Sequence, residues 1–274
     1  MNKKLVCALM ALVMLAAVLT ACSNGGKNNT VIIDVTPVTA VPVPTQIPST
    51  EPPLYTVAPT PTAEPDITFV PSNTPQPAPD HSVFDNCAFV GNSTFEGLHI
   101  YGAITHGTFF TRVGLNIQSV YNLPTEDGKG KPPIIDELNS GSYQAVIMMF
   151  GENELGWPNI NTFINKYEQF CRDVWTRQPG AKLFITGIPP VSAQKSATST
   201  NGVTNENIQL YNSQLSDLCA RVDDLYFITV PEALMTADGA LPAEASGDGL
   251  HLNMTYSKYW ADHICLSVMS VLRG

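Results

Sequence analysis

The sequence predicts an α/β domain built on a doubly wound parallel sheet, and three observations carry that expectation. Short apolar runs alternate with amphipathic helical stretches from about residue 84 onward. One run, Gln144 to Phe150 (QAVIMMF), is almost continuously apolar, as a central parallel strand covered on both faces must be. Five such runs occur in all, with helices between them, and right-handed crossovers then place helices on both faces of the sheet. No internal repeat is visible.

Taken in order, the first strand is Cys87 to Val90, ended by Gly91. Asn92 and Ser93 are both good N-caps for a helix over Thr94 to Tyr101. Gly107 to Ile117, with Phe109, Phe110, Val113 and Ile117, is predicted to hold the second strand, ending near Gly114. Gln144 to Phe150 is the third. Asn161 to Gln178 sets Phe163, Ile164, Tyr167, Phe170, Cys171 and Val174 on one helical stripe, and Pro179-Gly180 stops it. Lys182 to Ile188 is the fourth strand, closed by Pro189-Pro190. The Ser/Thr-rich stretch Val191 to Val203 is predicted as a loop, and Asn205 to Val222 as a helix carrying Ile208, Leu215 and Leu218. Leu225 to Val230 is the fifth strand. Thr255 to Leu272 is the last helix, with Tyr259, Trp260, Ile264, Val268 and Val271 expected to face inward.

This domain, expected over 81–274, is preceded by two segments of different character. Lys3 and Lys4 lead into an apolar stretch from Leu5 to Val18 that is short for a bilayer span, followed by Leu19-Thr20-Ala21-Cys22. The ending resembles a bacterial lipobox. It implies a lipoprotein signal peptide over 1–22, lipidation of Cys22, and an extracytoplasmic protein anchored to the membrane through that residue. Residues 23–80 are expected to be a tether: thirteen of the 22 prolines fall between Pro37 and Pro79, interleaved with Thr, Val and Ala. Proline at that density blocks helices and sheet ladders and favours an extended spacer, which over Thr36 to Pro79 would reach on the order of 130 Å.

A net charge of −10 and a sequence pI near 4.8 argue against binding nucleic acid or anionic lipid through charge. Four cysteines remain in the domain: Cys87, Cys171, Cys219 and Cys265. They allow three pairings, yet each sits in an apolar strand or helix pattern where cysteine serves as a small hydrophobe, so their state is left open. No C-x-x-C pair is present, and His81, His99, His106 and His263 show no ligand spacing, so neither metal nor cofactor is expected.

In sheets of this kind, sites form beyond the carboxyl ends of the strands. Ser93 follows the first strand, Gly114 the second, and Gly151-Glu152-Asn153-Glu154 the third; Asp248-Gly249-Leu250-His251 lies between the fifth strand and the last helix. A serine at a strand-to-helix turn has helix N–H groups beside it, which favour a developing anion. His251 is a base near neutrality, and Asp248, three residues earlier, is within reach of its other nitrogen. The N–H of Ser93, an N–H near Gly114 and the amide of Asn153 are the expected oxyanion donors. Glu152 and Glu154 are expected to act as caps or surface residues, and Trp157 to line a substrate site or cover the core. Asp262-His263 is a rival dyad, but neighbours on a helix point apart.

These motifs resemble those of the SGNH (GDSL-type) hydrolases, over Phe84 to the C-terminus. Gly91-Asn92-Ser93 is similar to the first block, normally Gly-Asp-Ser; Val113 to Asn116 to the second; Gly151 to Glu154 to the third; and Asp248 to Asn253 to the fifth. The resemblance implies a flavodoxin-like three-layer sandwich with a five-stranded parallel sheet, and Ser93, Gly114, Asn153, His251 and Asp248 as its catalytic set. It implies a serine esterase working through an acyl-enzyme without a cofactor; a wall-facing domain with a shallow rim site suggests O-acetyl groups on carbohydrate or cell-wall glycan as the expected substrate. The Gly-x-Ser-x-Gly elbow of the α/β-hydrolases is absent, because Phe95 stands where its second glycine would be. Three rival readings are a lipid or thioester acylhydrolase, an acyltransferase, and an inactive glycan-binding lipoprotein, for which Asn92 in place of aspartate is the sole support.

Overall fold

The computed structural model describes residues 78–125 and 130–273. The expected signal peptide (1–22), Cys22 and all but the last three residues of the expected tether (23–80) lie outside them.

The elements are β1 (Cys87–Gly91), α1 (Ser93–Ile100), β2 (Thr108–Thr111), α2 (Ile134–Glu137), β3 (Ala145–Met149), α3 (Ile160–Arg177), β4 (Lys182–Thr186), α4 (Ala193–Ala197), α5 (Asn205–Ala220), β5 (Leu225–Ile228) and α6 (Met254–Leu272). Single-turn 3₁₀ segments punctuate the connections. The five strands are ordered β2-β1-β3-β4-β5, and every pairing is parallel. This is the flavodoxin-like doubly wound order.

Side chains alternate across the sheet as strand geometry demands. Ala88, Val90, Val146, Met148, Leu183 and Ile185 face one layer, which α3 and α5 cover with Phe163, Tyr167, Phe170, Val174, Ile208, Leu215 and Leu218. Cys87, Phe89, Ala145, Ile147, Met149 and Phe184 face the other, which α1 and α6 cover with Phe95, Leu98, Trp260, Ile264 and Val268. Neither face meets water, which explains the unbroken apolar run of β3. The helices begin where side chains satisfy their first N–H groups: Asn92, Asn159, Thr204 and Asn253 each accept a backbone N–H as N-cap. Phe95 on α1 meets Trp260 on α6 with ring centroids 5.6 Å apart. That contact joins the helix following the first strand to the last helix of the chain.

The structure corrects three expectations. β2 ends at Thr111, not near Gly114: the chain turns with Leu115 N–H donating to the Arg112 carbonyl, and Gly114 adopts φ +72°, outside the β region. Val191 to Val203 is not loop throughout, since Ser192 accepts the Lys195 N–H and starts the short helix α4. Tyr259 does not face inward; it is 47% exposed, while its neighbour Trp260 is fully buried. Consecutive helical residues diverge by about 100°, so only one of the two can point at the sheet.

Cys87, Cys171, Cys219 and Cys265 are all buried and unpaired. Among the described residues, no helix is long and apolar enough to cross a membrane.

Candidate active site

Strand register decides what meets at the carboxyl edge. Gly91 pairs with Thr111 on one side and with Met149 on the other, so the segments leaving β1 and β3 emerge level with one another. The strand order reverses here, β1 being followed by β2 on one side while β3 lies on the other, which opens a crevice. Ser93 opens α1 on one lip, and Glu152-Asn153-Glu154 forms a 3₁₀ turn on the other.

Ser93 is partly exposed, while the residues on either side, Asn92 and Thr94, are buried. The Asn92 carbonyl oxygen Oδ1 accepts the Thr94 N–H at 3.0 Å, which fixes the turn. Ser93 Oγ lies 3.2 Å from His251 Nε2, and His251 Nδ1 lies 2.7 Å from Asp248 Oδ2. The other Asp248 oxygen accepts three hydrogen bonds: from Ser246 Oγ (3.0 Å), the Leu250 N–H (2.9 Å) and the His251 N–H (2.8 Å). The carboxylate is thereby aimed before it meets the imidazole. Burial opposes ionisation of Asp248, but the hydrogen bonds from His251 and from the Leu250 N–H outweigh it and hold the carboxyl well below its usual range. The same contact raises the pKa of His251 against the pull of burial; Glu152 adds to the rise, and Lys195 on α4 opposes it.

Asn153 is exposed on the facing turn, and its Nδ2 donates to the Leu115 carbonyl at 2.8 Å. An amide nitrogen carries two N–H groups, so one is left for another acceptor. That bond brings Asn153 beside the Gly114-Leu115 turn. Gly114 itself is exposed and makes no hydrogen bond to Ser93 among the described residues. Ser93, His251 and Asp248 are therefore linked directly, and Asn153 joins the Gly114 turn through Leu115.

Glu152 departs from the expected cap or surface role, being 8% exposed, and Glu154 is 0% exposed. Glu154 does act as a cap, since Oε2 accepts the Gly151 N–H at 2.9 Å and Oε1 accepts the Ile117 N–H at 2.6 Å. Burial pushes its carboxyl up to about 7, against those two hydrogen bonds. Gly151 holds φ +122°, and a Cβ there would collide with Ile188, so the turn requires glycine. Glu152 Oε2 accepts the Thr94 hydroxyl at 2.8 Å, and burial raises its carboxyl as well. Sequence signals for these burials are faint, because the partners lie 37 and 58 positions away.

A cavity of about 740 Å³ opens beside this turn, bordered by Glu152, Asn153, Trp157, Lys195, Asn201 and Asn207. Trp157 stands edge-on to Phe163 beneath and lines the cavity above. The remaining histidines have other partners. His81 contacts Asp262 at 2.9 Å, which removes the Asp262-His263 dyad from contention; His106 meets Asp85, His99 stacks on Phe109, and His263 meets Thr229. No group of three His, Cys, Asp or Glu residues capable of holding a metal ion occurs among the described residues.

Residues 80–255 match the model of the GDSL-like Lipase/Acylhydrolase family. No curated protein matches the chain in sequence. Among solved structures, a candidate platelet activating factor of Streptococcus pneumonia is similar, with a TM-score of 0.54 at 20% identity, over 67% of this chain and 83% of that one. A candidate acylhydrolase of Bacteroides fragilis aligns with a TM-score of 0.52 at 13% identity, over 72% of this chain and 92% of that one. An active-site mutant of a Clostridium thermocellum family two carbohydrate esterase, solved as a complex, aligns with a TM-score of 0.51 at 13% identity, over 68% of this chain and 64% of that one. At these identities the likenesses establish the fold.

Proposed function

We propose, from the premise that the chain belongs to the GDSL-like lipase/acylhydrolase family and is a hydrolase of ester bonds, that Ser93 is its nucleophile and O-acetylated glycan its substrate. The observation that carries this reading is the hydrogen-bonded chain from Ser93 Oγ through His251 to Asp248.

In the proposed reaction Ser93 Oγ attacks the acetyl carbonyl carbon while its proton passes to His251 Nε2. The new C–O bond pushes the carbonyl electron pair onto oxygen. That oxyanion takes hydrogen bonds from the Ser93 N–H, an N–H of the Gly114 turn and the free N–H of Asn153. Collapse expels the sugar oxygen, which receives the proton from the imidazolium. Water repeats the sequence on the acyl-enzyme and releases acetate. Asp248 holds the imidazole in the tautomer that leaves Nε2 free to accept a proton.

The glycan assignment draws on the polar lining of the neighbouring cavity and on Trp157, whose face suits a sugar ring. A long acyl chain would want apolar walls instead. The Clostridium thermocellum carbohydrate esterase shares the fold. The location remains the one the sequence suggests, outside the cytoplasmic membrane on a lipid at Cys22.

The test is acetate release by the full chain from O-acetylated glycan, set against hydrolysis of a p-nitrophenyl ester of a long acyl chain, with fluorophosphonate labelling alongside. Acetate release together with loss of the label in Ser93→Ala is the expected result. Labelling that survives Ser93→Ala would place the nucleophile elsewhere, and faster turnover of the long-chain ester would overturn the glycan reading. Acetyl transfer to an added sugar in preference to water would redefine the enzyme as a transferase.

A further inference from the structure

Glu152 is a buried carboxylate that the reaction above does not use. It sits on the turn that presents Asn153, yet its hydrogen bond goes across the crevice to Thr94, the residue after Ser93. The two lips leave neighbouring strands: Ser93 follows β1, Asn153 follows β3, and the bond from Asn153 runs sideways to Leu115. The Thr94 N–H is already taken by Asn92 Oδ1, so the Thr94 hydroxyl is the polar group that remains to meet the opposite lip. Burying a carboxylate is expensive, and a site that needed only an acceptor for one hydroxyl would be served by a neutral amide.

Asn92 adds a second, independent observation. Its Nδ2 is buried and has no hydrogen-bond partner, so the side chain at this position is neutral and half-satisfied, while the acidic group stands at Glu152. An aspartate at 92 would set a second carboxylate on Thr94, and two buried carboxylates sharing one partner repel.

We infer that Glu152 is a positioning residue for the esterase: through the Thr94 hydroxyl it sets the spacing between the Ser93 oxygen and the Asn153 amide. The inference rests on Ser93 being the nucleophile. Its consequence is geometric. The oxyanion donor on one lip and the nucleophile on the other must be held to a fraction of an ångström, and misplacement of about 1 Å costs on the order of 100-fold in rate. A second consequence is electrostatic. His251 is faced by Asp248 from its own loop, by Glu152 from the turn after β3, and by Lys195 from α4. Removing the Glu152 carboxyl leaves Lys195 opposed by Asp248 alone.

The experiment compares Glu152→Ala, Glu152→Gln, Thr94→Val and the Thr94→Val/Glu152→Ala double variant in the full chain, by kcat, KM and pH profile on p-nitrophenyl acetate, with thermal melts. Glu152→Ala should lose about 10- to 100-fold in kcat with KM within about twofold, by the cost of misplacement. Thr94→Val should lose a comparable amount, and the double variant little more, because both remove one bond. Glu152→Gln keeps the acceptor, so most of kcat should return while the acidic limb of the kcat/KM profile moves to lower pH. In a separate cycle, Asn92→Asp should be destabilised alone and relieved by Glu152→Gln.

Glu152→Gln is close to isosteric and keeps the readout open if the alanine variant fails to fold. A kcat for Glu152→Ala within twofold of wild type, or additive losses in the double variant, would overturn the inference. Those results leave the esterase reading intact so long as Ser93→Ala is inactive; an active Ser93→Ala would instead remove the reading on which the inference rests.

Discussion

His251 reaches across 158 positions of sequence to place Nε2 3.2 Å from Ser93 Oγ. Neither residue has a local reason to find the other. They meet because the segment after β1 and the loop before α6 end at one rim of the sheet, with Phe95 and Trp260 locking the two helices together behind them.

If the pair acts in one proton transfer, removing either partner removes nearly the whole step. Ser93→Ala and His251→Ala should each abolish most turnover, and the double variant should cost little more than either. Multiplicative losses in the double variant would mean that the two residues act independently.

The raised pKa of His251 sets the direction of the pH profile. The imidazole must be neutral to take the serine proton, so kcat/KM should rise with pH through a value above the usual one for histidine. In Asp248→Asn the chief cause of the rise is gone, so that limb should move to lower pH while turnover falls by on the order of 10⁴. An unmoved limb would show that another group controls the profile.

Asn153→Ala should lower kcat by on the order of 10²- to 10³-fold with little change in KM, because the oxyanion exists only along the reaction path. Gln at this position should not restore activity, since the longer side chain displaces the amide. An effect confined to KM would make Asn153 a ground-state contact instead.

Glu154 should make the fold weaken as pH rises. Its folded value of about 7 lies above the 4.5 of a free glutamate, so its contribution is fully present below about pH 4.5 and is lost as pH passes 7. At about 1.4 kcal/mol per unit the change amounts to about 3 kcal/mol. The raised His251 acts in the same sense as pH rises above 6.5, whereas the lowered Asp248 adds stability above pH 3.8 that is lost only on acidification. The melting temperature should therefore fall between pH 5 and 8, with a shallower slope in Glu154→Gln. A midpoint that climbs over that range would contradict the burial of an ionisable group here.

Membrane attachment is proposed to depend on the thiol of Cys22. Cys22→Ala should move the protein from the membrane fraction to the medium or leave an uncleaved precursor. Unchanged incorporation of labelled lipid would refute the anchor.

What the sequence discloses about this molecule depends on whether the signal is local. The stripe on α3 repeats for 18 residues, and each of its six apolar positions is buried. The cap at Asn92 locates the start of α1 because capping is settled within a few residues. The short α4 was hidden by its Ser/Thr-rich surroundings, although Ser192 followed by Ala193, Gln194 and Lys195 is a cap ahead of good helix formers. The end of β2 is masked in the sequence because Val113 and Leu115 prolong an apolar pattern through a glycine that leaves the strand region. Ser93, Asn153, Asp248 and His251 were legible as types at strand ends. The burial of Glu152 and Glu154 is not, since acidic side chains are seldom interior and their partners lie in α1 and in the loop after β2.

The four thiols lie on both sides of the sheet, two against α3 and α5 and two against α1 and α6. Burial pushes Cys87 and Cys219 up to about 12 and Cys265 up to about 11, so thiolate, the form that oxidants and alkylating agents attack, is scarce at neutral pH. Cysteines that serve as filler in the core thus offer little to the redox chemistry of the compartment that holds the domain.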